Sequence, residues 1–329
     1  MENVRAVRIR EPGGADVLEL GEVACRDPGD GEVLVRVAAA GLNRADVMQR
    51  RGLYPAPPGE PAEVPGLEFA GTVARVGDGV GGFSPGDRVM GITGGGAMSE
   101  AIVAHHRMLL RTPDGMPHEE AAAIPEVFLT AWDALFGQAS LRLGEVALIH
   151  AAASGVGTAA VQLCRAAGVR SIGTARSAAK LGAVTALGLD DALVPHEGRF
   201  ADAVASLTGG RGVDAILDPV GARYLADNLH ALAPRGRLVL IGLMGGATGE
   251  VPRAPILMKR LRVMGTVLRS RPLEEKTALT QAFAREVLPL FARGALRPVI
   301  DVVLPMAEVR VAHERMERND TIGKIVLRW

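Results

Sequence analysis

Hydrophobic and polar positions follow two different rhythms along the chain. Up to about residue 124, short runs alternate with a period of two or are rich in β-branched residues: VRAVRIR, EVLVRVAAAG, EFAGTVARVG, DRVMGI and SEAIVA. Clusters such as PGG, PGDG and VGDGVGGFSPGD separate them, which predicts a β-rich domain with tight turns. One interruption, NRADVMQRRG at 43–52, has the spacing of a short helix and leads into LYPAPPGEPAEVPG at 53–66. Four prolines between 55 and 61 stiffen that loop and present Tyr54 at a fixed angle.

From residue 125 the rhythm changes. Helical VFLTAWDAL is followed by strand-like runs near 146–150, 170–174, 192–194, 213–217, 237–241 and 263–267, most of them separated by helical segments. Alternation of this kind predicts an α/β doubly wound parallel sheet. Beyond 271 come an amphipathic helix, PLEEKTALTQAFAREVLPLFARG, stopped by Gly294, then DVVLP, a polar helix AEVRVAHERMERN and a last strand, KIVLRW. The tail is expected to pack back on the first domain. The division read from the pattern is 1–124 with 270–329 as one domain and 125–269 as the other.

The densest motif lies at 146–180. An apolar run turns through Ser154, Gly155, Val156 and Gly157 into an Ala-rich helix with apolar positions at Ala160, Val161 and Cys164, and a second strand-like run follows at 169–174. Strand, glycine turn, helix and strand make a βαβ unit of the Rossmann kind, built to hold a pyrophosphate. Side-chain-free positions let the backbone approach the phosphates, whose charge faces the free N–H groups and the positive end of the helix. About 20 residues past the turn, where an NAD-binding protein carries a carboxylate for the ribose hydroxyl, this chain has Arg176 and Ser177, with Lys180 one helical turn on. Cations there attract a 2′-phosphate, so the expected cofactor is NADPH.

Composition removes several classes. The 329 residues exceed one ordinary core, hydrophobic content is 48%, and 37 Lys plus Arg balance 37 Asp plus Glu. No basic field favours nucleic acid or an anionic membrane. The uncharged run 146–164 approaches membrane-spanning length, but its His150, Ser154, Gln162 and glycines fit a buried strand and helix better. Cys25 and Cys164 form no framework, which suits a reducing cytoplasm. His105 and His106 are neighbours on opposite faces of a strand and make a poor chelate, so no metal is expected. Ser154 lacks the flanking glycines of a nucleophile elbow, and His150 reads as a satisfied buried histidine. The polar residues left as candidates for chemistry are Asn43, Asp46, Tyr54 and Thr130, although Asn43 and Asp46 could equally cap the helix at 44–51. A phenol on a rigid loop is suited to hydrogen-bonding a carbonyl or a nicotinamide amide.

With these residues in view, AAGLNRADVMQRRGLYPAPPG, PGLEFAGTVARVG, FSPGDRVMGI, IPEVFLTAWDAL, LIHAAASGVGTAAVQL, IGLMGG, LRSRP and IGKIVL resemble the zinc-free quinone reductases of the medium-chain dehydrogenase/reductase superfamily, especially its stress-inducible NADPH subgroup. The resemblance implies a chaperonin-10-like catalytic domain beside the dinucleotide domain, and hydride transfer from NADPH to a quinone with Asn43, Tyr54 and Thr130 orienting the pair. It also implies places around the cofactor for Val220, Leu243, Met244, Leu268, Arg269 and Lys324, joined by Gly242 at a strand end. Zinc-dependent relatives carry metal ligands where this chain has Asn43 and Leu67, and the four-cysteine lobe is absent. A tyrosine often found near the adenine ribose is here Pro195, beside His196. Two rivals stand beside the quinone reading: an NADPH-dependent reductase of activated C=C bonds, and a redox-inert protein that binds NADPH or RNA. The apolar edge at 261–268 predicts a homodimer.

Overall fold

Two separate sheets and a small hairpin-like pair of strands organise the computed structural model, which describes residues 1–329. One compact unit comprises Met1–Leu129 and Leu268–Trp329, the other Thr130–Val267. No helix is long and apolar enough to cross a membrane.

Strand Glu32–Leu42 is the hub of the first unit. It pairs antiparallel with Glu68–Val76, with Ala101–His105 and with the C-terminal strand Lys324–Arg328. Arg88–Ile92 and Leu109–Arg111 extend one side, and Ile300–Pro305 closes the other. Valines and leucines of these strands face a shared core with Phe69, Met98, Met306 and Ile325. Because Ile325 lies opposite Leu42, the register sets Lys324 beside the residue that follows the hub strand, Asn43. Helix Arg44–Arg50 starts there, as its sequence predicts.

Strand Leu18–Cys25 pairs with Glu2–Ile9 and was not expected. Its burial nevertheless alternates along LELGEVAC, the period-two signal of a half-covered strand. A second correction concerns 272–294, expected as one helix. Two form instead, Leu273–Glu286 and Leu288–Ala292, because Pro289 has no N–H to continue the first and starts the second.

In the second unit the six strands are Val146–Ile149, Arg170–Thr174, Asp191–Leu193, Val213–Asp218, Leu232–Leu240 and Arg262–Gly265. Counted along the chain, they lie in the order 3-2-1-4-5-6, all parallel, which is the Rossmann arrangement. Leu148, Ile172, Val213, Ile216 and Leu238 are buried between the helices, each contributing roughly 1.5–3 kcal/mol of transfer free energy. The order reverses between the strands ending at Ile149 and Asp218, and an open parallel sheet takes its ligand at the carboxyl ends of such a pair.

Candidate active site

The glycine turn occupies that position. Beyond Ile149 the chain bends through Ala151, whose φ of 50° is in the left-handed region, and enters helix Gly155–Ala166 at Ser154. Ser154 Oγ accepts from Gly157 N–H at 3.1 Å. A Cβ on Gly157 would come within 2.6 Å of Ala152 backbone atoms, so only glycine lets the helix start nest on the bend. Thr158 N–H bonds to Ser154 O. The N–H groups of Gly155 and Val156 are then the first-turn donors without an intrahelical acceptor. A side-chain-free position beside two open donors at a positive helix end fits a phosphate.

The other dinucleotide candidates gather at the same edge of the sheet. Arg176 and Ser177 are exposed and Lys180 is half-buried, just past the strand Arg170–Thr174 that pairs with Val146–Ile149. Val220 follows the fourth strand, while Gly242, Leu243 and Met244 follow the fifth. Gly245 N–H to Val220 O (2.6 Å) and Ala222 N–H to Gly246 O (3.1 Å) join these two loops. Leu243 and Met244 are 53% and 56% exposed, so they are not core residues and can meet a ligand. Pro195 is half-buried and His196 exposed beyond the third strand.

Beneath the strand ends runs a buried polar chain that the sequence did not reveal beyond His150. Asp218 accepts from Val220 N–H (2.6 Å) and Gly221 N–H (3.1 Å) through one oxygen and from Asn228 Nδ2 (2.9 Å) through the other. Asn228 Oδ1 faces His150 Nε2 at 2.6 Å, and His150 Nδ1 lies 2.9 Å from Thr174 Oγ1. Burial pushes His150 down to about 4 and Asp218 up to about 6. His150 is therefore a neutral, satisfied core histidine that ties three strand ends together.

In the first unit a second cluster forms around Glu68, which is wholly buried. Lys324 Nζ donates to Glu68 Oε1 at 2.6 Å, to Asn43 Oδ1 at 2.7 Å and to Leu42 O at 2.7 Å. Asn43 Nδ2 donates to Glu68 Oε1 (3.0 Å) and Gly41 O (3.2 Å), while Glu126 N–H donates to Glu68 Oε2 (2.8 Å). A Cβ at Gly41 would lie within 2.7 Å of the Glu68 carboxyl carbon, so glycine makes the room. The Lys324 ammonium thus makes three hydrogen bonds inside the cluster. Asn43 likewise turns its amide inward. Asp46 is buried, with Asn43 N–H (2.7 Å) and Gly66 N–H (3.0 Å) on its two oxygens, which caps the helix start. Burial pushes its carboxyl up to about 6, with these N–H donors opposing.

Arg269 is buried too. Its guanidinium donates to Gly94 O (2.7 Å), Tyr54 O (3.1 Å) and Gln49 Oε1 (2.5 Å) and lies 5.0 Å from the Tyr54 ring centre. It holds the proline-rich loop, and Leu268 beside it is buried. Tyr54 itself is half-buried, and desolvation raises its phenol. Thr130 is half-buried on helix Pro125–Trp132, one turn beyond Glu126. Glu126 escaped the sequence reading, where a Glu after Pro at a helix start looks like ordinary capping chemistry. It is half-buried, and desolvation followed by the Glu68 charge pushes its carboxyl up to about 8.

A Rossmann sheet with a glycine turn and a separate GroES-like β-rich unit define a two-domain oxidoreductase that works with a nicotinamide cofactor. Residues 29–114 match the model of the alcohol dehydrogenase GroES-like domain, and 155–285 that of the zinc-binding dehydrogenase family. Human quinone oxidoreductase is 32% identical over 328 residues, covering 98% of this chain and 97% of that protein. Mycobacterial Rv1454c complexed with NADPH superposes with a TM-score of 0.88 at 31% identity, covering 99% of this chain and all of that one. CurK enoyl reductase superposes at 0.87 with 30% identity, covering 100% and 99%. The chain belongs to the medium-chain dehydrogenase/reductase superfamily and is quinone oxidoreductase-like within it.

Proposed function

We propose that the protein is an NADPH:quinone oxidoreductase that needs no zinc. The observation that supports the cofactor choice is that Arg176 and Lys180 follow the second strand, which pairs with the strand entering the glycine turn, at positions 175–180 where the sequence carries cations and no Asp or Glu. The residues named above fit the cofactor: Ser154 to Gly157 for the pyrophosphate, Arg176, Ser177 and Lys180 for the 2′-phosphate, and Val220 with Gly242 to Met244 for the nicotinamide end. When bound, the nicotinamide supplies a hydride. Tyr54 and Thr130 orient donor and acceptor, and the loop anchored by Arg269 keeps the phenol in place.

A quinone accepts hydride without Lewis-acid help, and the product takes its proton readily from water. Lys324 supports the zinc-free reading, because its ammonium already neutralises Glu68, while Asn43 and Leu67 stand where zinc-dependent relatives have ligands. We assign 1–124 with 270–329 to the catalytic domain and 125–269 to the dinucleotide domain. Cys25 and Cys164, both buried and unpaired, support a reducing cytoplasmic setting.

The test is steady-state kinetics with NADPH and NADH against a quinone panel. Arg176→Ala or Lys180→Ala raises the KM for NADPH on the order of tenfold or more, the worth of a charge-assisted hydrogen bond, and moves the KM for NADH little. Equal effects on both cofactors refute the phosphate assignment. Absence of any cofactor oxidation, with binding retained, favours the redox-inert rival.

A further inference from the structure

Within the first unit, two antiparallel strands and two helices border a cavity of about 490 Å³, and none of Asn43, Tyr54, Glu68, Arg269 or Lys324 lines it. Its size falls within the roughly 300–1,000 Å³ of small-molecule sites. One wall is the end of the strand pair Arg88–Ile92 and Leu109–Arg111. The other is Ala284, Leu288, Pro289 and Ala292, from the two helices divided near Pro289. Because Val89 lies opposite Arg111, the next position sets Arg88 opposite Thr112, whose N–H donates to Arg88 O at 3.0 Å. Opposed residues of an antiparallel pair carry their side chains on one face, and here that face lines the cavity.

Both residues carry polar groups without a counterpart. Thr112 is 8% exposed, and its Oγ1 is buried with no hydrogen-bond partner. Most buried hydroxyls in a folded protein have one, so an orphan at a cavity wall points to a ligand atom. Arg88 is half-buried, gives one N–H to Met116 O and forms no ion pair. The charges around it are matched or wet. Asp87 accepts from Ser84 N–H at 2.9 Å and lies 3.3 Å from the Arg111 guanidinium, which also donates to Gly82 O and stands over the Phe83 ring. Asp114 is at the exposed rim, where water screens its charge. The half-buried charge left without an opposite is therefore that of Arg88.

We propose that this cavity binds small amphipathic carboxylates, an anionic head on a compact aromatic or aliphatic body. Arg88 takes the carboxylate through its remaining N–H groups, and a staggered rotation of Thr112 about χ1 turns its hydroxyl to the same head. The body lies on the carbon-only wall of Ala284, Leu288, Pro289 and Ala292. Other classes of ligand leave something unmatched. A wholly apolar molecule buries the guanidinium and the hydroxyl without partners. An inorganic anion leaves the helix wall wet, and an organic cation meets Arg88. The site is separate from the residues assigned to hydride transfer and does not depend on that reading.

The experiment is isothermal titration calorimetry of the full chain with phenylacetate, phenylacetamide and inorganic phosphate. Phenylacetate should bind with a dissociation constant on the order of 0.1–1 mM. The uncharged amide and the phosphate should each bind about tenfold more weakly or worse. Arg88→Met should weaken phenylacetate by about tenfold or more. Because Arg88 also holds Met116 O, circular dichroism and two further variants guard against a folding defect. Ala292→Asp sets a carboxylate on the exposed helix wall and should weaken phenylacetate by the same order. Thr112→Val keeps the side-chain shape and should weaken it by about threefold or more, yet melt no lower than wild type, since it removes an orphan hydroxyl. Phenylacetamide or phosphate binding as tightly as phenylacetate overturns the ligand class. No saturable binding of phenylacetate, or binding that Ala292→Asp and Thr112→Val leave unchanged, overturns the site. Either result leaves the hydride-transfer reading intact.

Discussion

At the scale of single residues, the decisive side chain of the first unit is Lys324. An ammonium 3% exposed against a carboxylate with no exposure is costly to desolvate, and it persists because every proton and lone pair around it is matched. Removing one partner leaves the other uncompensated. Lys324→Met should therefore lower unfolding stability by about 3–5 kcal/mol in denaturant titration, and adding Glu68→Gln should restore part of the loss. A single variant within about 0.5 kcal/mol of wild type would show that the pair contributes nothing. None of this was legible in the sequence beyond a family likeness, since Asn43 and Lys324 lie 281 positions apart and only sheet register brings them together. Glu68, 25 positions from Asn43, carries no local sign of its place in the cluster either.

At the scale of elements, the strand, glycine turn and helix at 146–166 were legible because their determinants are local. The bend, the cap at Ser154 and the glycine at 157 lie within a few residues of one another. Gly157→Ala puts a methyl group within 2.6 Å of Ala152 backbone atoms, and backbone cannot swing aside as a side chain does. The expected cost is about 1–3 kcal/mol of stability, typical of overpacking, together with weaker NADPH binding as the helix start lifts away. Thermal unfolding and fluorescence titration with NADPH measure the two effects, and an unchanged dissociation constant removes the turn from the phosphate site. Local signals also misled. The helical period of 272–294 runs straight through Pro289, so periodicity predicted one helix where a missing N–H makes two. Leu18–Cys25 carries a clear alternation, but its only partner is the first strand, and Gly21 in its middle weakens the pattern.

At the scale of the whole molecule, the open edge of the parallel sheet is the remaining unbalanced feature. Strand Arg262–Gly265 pairs with Leu232–Leu240 along one side and is the last strand of its sheet. Its other side presents backbone donors and acceptors, with Val263 and Val267 more than 40% exposed and Leu257 and Met258 each 78% exposed on the helix before it. An apolar edge with unpaired N–H and C=O groups invites another strand, and a second copy of the same edge is the partner that closes by two-fold symmetry. The expected state in solution is a homodimer, so light scattering at micromolar concentration should read twice the chain mass of 34.4 kDa. Val263→Lys adds a charge at the centre of the pairing edge, where two copies would set like charges against each other, and should shift the reading to one chain. Because the strand's own partner within the chain is untouched, the variant should stay folded, with its far-ultraviolet circular dichroism preserved. A wild-type reading of one chain rejects this edge as an interface, and a dimer that survives the lysine places the interface elsewhere.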